Sequence, residues 1–134
     1  MIALDTSVVV AAFASWHEAH ASAAAMLARR CRLPAQVLLE SYSVLTRLPP
    51  PHRAPAGVVA AFLSARFPSA PLTLPGGAHR ELVQLAVAAG LAGGAIYDVL
   101  VAATAKRAGA TLITRDRRAT AAYETVGIRY ELLA

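Results

Sequence analysis

The chain has 134 residues, enough for one domain around a single buried core. With 57% hydrophobic and 16% charged residues it is excluded from the intrinsically disordered class, and its lone cysteine, Cys31, excludes an internal disulfide and a cysteine-built zinc site. A formal charge of +5 points to a polyanionic partner, nucleic acid or an acidic protein, unless it serves only to keep an apolar chain in solution.

Ile2-Ala3-Leu4 reads as a short apolar strand, and Asp5-Thr6-Ser7 offers three helix N-cap residues directly after it. Val8 to Ala14 is apolar all round, which predicts a buried helix. Trp16 to Arg30 is Ala-rich and predicts a second helix ending in Arg29, Arg30 and Arg32. Leu33-Pro34 is expected as a short edge strand or turn. From Ala35 to Leu48 the apolar positions Val37, Leu38, Val44, Leu45 and Leu48 recur at helical spacing, and Pro49-Pro50-Pro51 stops that helix.

A further helix fits Ala56 to Arg66, a proline-bracketed strand Pro71 to Pro75, and another helix Ala78 to Ala89. Gly90 to Gly94 is a glycine-rich loop. Ile96 to Ala108 predicts a helix capped by Gly109, Thr111 to Thr114 a strand, Arg117 to Thr125 a last helix and Ile128 to Glu131 a last strand. Strands alternating with helices imply a mostly parallel sheet covered on both faces, in one α/β domain spanning residues 1–134. Met1 to Ser15 imitates a signal peptide, but no basic residue precedes its apolar run and Asp5 stands ahead of it. No stretch approaches the roughly 20 apolar residues of a membrane span. A cytoplasmic protein with no membrane partner is expected, in keeping with the single cysteine.

The three aspartates all fall at element junctions: Asp5 ends the first strand, Asp98 opens a helix, and Asp116 follows the strand Thr111 to Thr114. Taken singly, each has an ordinary explanation, as an N-cap, a helix-dipole acid or a turn residue. Glu40 is harder to dismiss. It shares a helical stripe with Val37 and Val44, where an unpartnered carboxylate is costly to bury. Ligand sites of open parallel sheets gather outside the carboxyl ends of the strands, where Asp5 and Asp116 stand. Carboxylates brought together there hold their protons more tightly unless a cation lies among them, and hard Mg²⁺ or Mn²⁺ suits an all-oxygen donor set. A metal-bound water beside a polarised phosphoryl group is the chemistry of phosphodiester hydrolysis.

Four segments carry a family resemblance: Leu4-Asp5-Thr6-Ser7-Val8-Val9; Val37 to Leu45 around Glu40; Tyr97-Asp98-Val99 continuing to Ala105; and Leu112-Ile113-Thr114-Arg115-Asp116-Arg117-Arg118. In this order and at these intervals they resemble the acidic motifs of PIN domains, and the length suits the VapC-type bacterial toxins among them. Pro49 to Gly94 carries no motif. The resemblance implies a three-layer α/β/α fold with a short central sheet. It also implies a Mg²⁺- or Mn²⁺-dependent endoribonuclease, the toxin of a toxin–antitoxin pair, with RNA as substrate and a cognate antitoxin as partner. By position Asp5 and Asp98 would be the principal metal ligands and Asp116 a further one, directly or through water. Glu40 would hold a second ion or orient the attacking water. Thr6, Ser7 and Thr114 match polar positions that support these acids by hydrogen bonds, with capping as the equal alternative.

Arg115, Arg117 and Arg118 flank Asp116 and are candidates for RNA-backbone contacts, or else solvated charges at a helix start. His17 and His20 have a metal-capable spacing but are read as surface residues, and Trp16 as packed rather than as a platform for bases. The apolar helix after Asp5 and the segment Val58 to Phe67 exceed what one small core covers, which predicts a homodimer and a groove for an antitoxin segment. Two other readings stay open. A haloacid-dehalogenase-like phosphatase needs a second aspartate two residues after the first, where this chain has Ser7; a PIN-like domain that binds RNA or protein without catalysis needs none of the four acids.

Overall fold

Three consecutive buried residues, Ile2–Leu4, form strand β1 at the centre of the sheet. The computed structural model describes all residues 1–134. Asp5 leaves the strand in extended conformation and caps α1 (Thr6–Phe13), whose Val8, Val9, Ala11 and Ala12 are buried. Next come α2 (His20–Met26), β2 (Cys31–Arg32), α3 (Ala35–Arg47), α4 (Ala56–Arg66), α5 (His79–Ala89) and α6 (Ala95–Arg107). The chain ends with β3 (Thr111–Thr114), a 3₁₀ turn at Arg117–Ala119, α7 (Thr120–Val126) and β4 (Tyr130–Leu132).

All four strands run parallel, in the order β2-β1-β3-β4. Parallel neighbours need helical crossovers, and such crossovers are right-handed. The β1-to-β2 connection steps one way across the sheet and the β3-to-β4 connection the other, so α1 and α2 cover one face while α7, packed on α6, covers the opposite face. The result is a three-layer α/β/α sandwich around one apolar core. The step direction reverses between β1 and β3, and the cleft at a parallel sheet's functional end opens where that happens.

Several boundaries differ from the sequence reading, each for a local reason. The helix expected over residues 16–30 covers only His20–Met26. Before it, the His17 ring accepts the Ala19 amide through Nδ1 at 3.0 Å; after it, Ala28 and Arg29 continue in three-residue turns. β2 lies two residues before the expected Leu33-Pro34, and the expected strand over residues 71–75 is reduced to one bridge, Pro34 to Leu72. Pro71 and Pro75 have no N–H, so only Leu72 pairs, donating to Leu33 and accepting from Ala35 at 2.8 Å each. The start of the expected last helix is the 3₁₀ turn Arg117–Ala119, and β4 begins two residues later than expected. No helix is long and apolar enough to cross a membrane.

Candidate active site

The strand–turn–helix at Asp5 sets the floor of the cleft. Its carboxylate is almost wholly buried and accepts four hydrogen bonds: Ser7 Oγ and the Val8 amide (3.3 Å) on Oδ1, Thr114 Oγ1 and the Tyr123 hydroxyl (3.0 Å) on Oδ2. Burial is the largest influence on this carboxyl and raises its pKa, while the four donors pull the other way by stabilising the charged form. Two of the donors also fasten the opposite bank. Ser7 Oγ accepts the Arg115 amide at 2.8 Å, and Thr114 Oγ1 accepts the Asp116 amide at 3.0 Å. Each hydroxyl thus links the end of β1 to the loop that follows β3. The Asp116 carboxylate caps the 3₁₀ turn through the Arg118 amide at 3.0 Å and lies 3.6 Å from the exposed Arg118 Nε.

Asp98 enters from the first turn of α6 and Glu40 from the middle of α3, beside the buried positions Val37 and Ser41. Asp5, Glu40, Asp98 and Asp116 line one pocket of about 130 Å³, together with Ser7 and Tyr123. Partial burial, followed by the negative charges of Asp116, Glu40 and Asp5, lifts the Asp98 carboxyl from 3.8 to about 6. The structure therefore brings all four acids to one cup, and their mutual repulsion is felt at Asp98.

The donor set is all oxygen and electrostatically short of a cation, which fits a hard divalent ion. No three acidic side chains close on one point as a ready cage, so such an ion would keep water in part of its shell, as Mg²⁺ does. Asp5 already accepts about as many hydrogen bonds as a carboxylate can, and would admit an ion by yielding one, of which Val8's is the longest. The largest cavity, about 810 Å³, is elsewhere. It sits at the amino ends of the strands and is lined by Arg29, Arg30 and Arg32 with Glu131 as its only acid, a poor place for a cation.

Of the supporting residues expected, Ser7 and Thr114 hold Asp5 directly. Thr6 lines the pocket without a hydrogen bond to any acid, a correction to the sequence reading. Tyr123 was not anticipated. Its ring is buried in α7, and burial together with the Asp5 charge raises its pKa, so the hydroxyl stays protonated and donates. The one signal available was a large aromatic in an Ala-rich helix just past Asp116, whose hydroxyl needs a partner once buried. A neighbouring groove of about 340 Å³ shares Thr6, Ser7 and Asp116 with the cup and adds His17, Arg115 and Arg118. Arg117 is exposed and does not line it. His17 and His20 are engaged with backbone atoms, His20 Nδ1 lying 2.9 Å from the Ala11 carbonyl, and do not pair around a metal. Trp16 is not packed as expected, being 49% exposed.

A parallel α/β sandwich with acids at its switch point defines a class, and the sequence places the chain within it. The PIN domain family model matches residues 2–124, and the chain belongs to that family. It is 48% identical over 133 residues to Ribonuclease VapC40 of Mycobacterium tuberculosis, with 99% of both chains covered. It is 40% identical to Ribonuclease VapC27 of the same organism, over 99% of this chain and 97% of that one. Among solved structures, FitAcB from Neisseria gonorrhoeae superposes with a TM-score of 0.70 at 20% identity, covering 97% of this chain and 96% of that one. VapBC2 from Rickettsia felis, bound to a DNA fragment from their promoter, gives 0.68 at 18% identity over the whole of both chains. These two likenesses carry the fold.

Proposed function

We propose that the chain is a VapC-type endoribonuclease, the toxin of a toxin–antitoxin pair, working in the cytoplasm with Mg²⁺ or Mn²⁺. The observation that carries this reading is the cup of four carboxylates in which burial, and after it the negative charge of Asp116, Glu40 and Asp5, lifts the Asp98 carboxyl to about 6. The near full-length likeness to two named ribonucleases supports RNA as the substrate.

In this reading Asp98 and Asp5 would hold the ion, with Asp116 a further ligand directly or through water. When bound, the ion supplies an activated water and a counter-charge for the phosphoryl oxygens. Glu40, on the α3 bank, orients the attacking water or takes its proton. Ser7, Thr114 and Tyr123 favour the charged form of Asp5 against its burial and keep it pointed into the cup. Arg115 and Arg118 meet the phosphates on either side of the scissile bond, and Arg117 serves the backbone further out. The antitoxin and a second copy of the chain are the protein partners.

Purified protein incubated with total bacterial RNA is expected to cleave it with Mg²⁺ and not with EDTA, and Asp98→Ala to lose at least about 100-fold in rate. Metal-dependent cleavage surviving in Asp98→Ala would sink the assignment. RNA binding with no cleavage under any divalent ion would favour the non-catalytic PIN-like reading instead.

A further inference from the structure

Next to His17, which lines the groove beside the cup, stands an aromatic pair that the chemistry above does not use. Trp16, the only tryptophan, lies in the loop after α1 with its indole 3.9 Å from the His52 ring centroid and tilted by 32°, and 5.8 Å from His17. With His52 stacked against it, about half of the residue is still open to solvent. An indole is a good surface for a nucleobase because every base has a π-face.

Its neighbours suit one strand of nucleic acid. His17 lines the groove and accepts the Ala19 amide through Nδ1, which leaves the proton of a neutral ring on Nε2 as a donor. Arg115 Nε is buried without a partner, and the guanidinium's one acid, Glu18, is exposed and 4.0 Å away, so much of its hydrogen-bonding capacity is unspent. Thr6 and Val10 line the groove wall one helical turn apart and connect the cup to His17.

We propose that Trp16, backed by His52, is a stacking platform for an unpaired base of the substrate RNA, whose phosphates pass Arg115 and Arg118 on the way to the cup. This rests on the ribonuclease reading and adds a specificity-determining residue to it, one that acts at an unpaired base away from the cut.

The chain reports on this itself, since its tryptophan fluorescence comes from Trp16 alone. Titrating the unaltered protein in EDTA with a mixed-sequence single-stranded RNA should quench and shift that emission, and the same RNA annealed to its complement should do so far less. Trp16→Ala should raise Kd and KM for single-stranded RNA about 10-fold with kcat nearly kept, Trp16→Phe should recover most of the loss, and His52→Ala should lie between. RNA that binds without changing the emission, or a Trp16→Phe protein with normal melting temperature that binds no better than Trp16→Ala, overturns the platform and leaves the ribonuclease reading standing. An unaltered protein that neither binds RNA nor cleaves it with Mg²⁺ overturns both.

Discussion

Asp5 shows how many donors an acidic site sets against the burial of one carboxylate. Of its four donors, the Tyr123 hydroxyl comes from farthest along the chain. Tyr123→Phe keeps the packing and removes the donor. It is expected to destabilise the fold by about 1.5–2 kcal/mol, the cost of a lost hydrogen bond to a buried charge, read as a lower denaturation midpoint with unchanged m-value. Activity at low Mg²⁺ should fall as well, because an Asp5 that binds protons more readily competes less well for metal. Asp98 gives the complementary effect. Its pKa is raised from 3.8 to about 6, so in metal-free protein the folded state holds a proton that the unfolded state has lost. That contribution is complete below about pH 4 and is lost as pH rises through 6. Metal-free protein should therefore melt higher at pH 5 than at pH 7. Asp98→Asn should flatten the difference and raise the melting temperature at pH 7 by about 2–4 °C. A metal-free Asp98→Asn protein that melts lower than the parent at pH 7 would contradict the repulsion described at this site. At this scale the acids were legible because charge is scarce in the chain and three of them sit at element junctions. Tyr123 was not, since nothing within its helix marks a tyrosine whose hydroxyl is used by a residue 118 positions away.

Elements were legible where their signals are local. The α3 stripe and its proline stop, the buried α1 and the Asp5 cap all appear as the pattern predicts. Failures came where a side chain or an imino residue overrode the apolar pattern: α2, shortened by the His17 ring before it and three-residue turns after it, and a proline-bracketed segment given one bridge to Pro34 instead of a strand. Gly109 was read as a cap and is one, at φ +71°, with its amide and that of Ala110 closing the end of α6 onto the Lys106 and Ala105 carbonyls. Added volume meets nothing there, so Gly109→Ala tests the backbone alone. A loss of about 1 kcal/mol is expected. Because β3 starts two residues later and its end carries Thr114, the Mg²⁺ required for half-maximal rate should also rise; a stability loss with no change in metal requirement would uncouple cap from site.

For the whole molecule the fold class was legible in the alternation of strands and helices, while the location of its uncovered apolar surface was not. The expectation that α1 would be in excess of the core is corrected: its buried residues are covered within the chain. On α4, Val59 and Leu63 are buried and Val58 is the one large apolar side chain left well exposed. Other exposed apolar side chains include Leu39 on α3, Val83 and Val87 on α5 and Tyr97 on α6; α6 packs on both α3 and α5. A homodimer at micromolar concentration is expected through this face, and the double change Leu39→Glu with Val87→Glu should give a folded monomer in sedimentation. An unaltered protein that sediments as a monomer would remove the expectation.

The sheet order has one more consequence, for the time at which the protein becomes active. β1 is the first strand made, yet its inner neighbour is β3, and Asp5 is held by Thr114 and Tyr123. At about 5–20 residues per second, a ribosome takes roughly 6–24 s to travel the 118 residues from Asp5 to Tyr123. During that interval the nascent chain has acids but no cup. A nuclease built this way is inert while it is being translated, and its activity begins only after the stretch that completes the site has emerged.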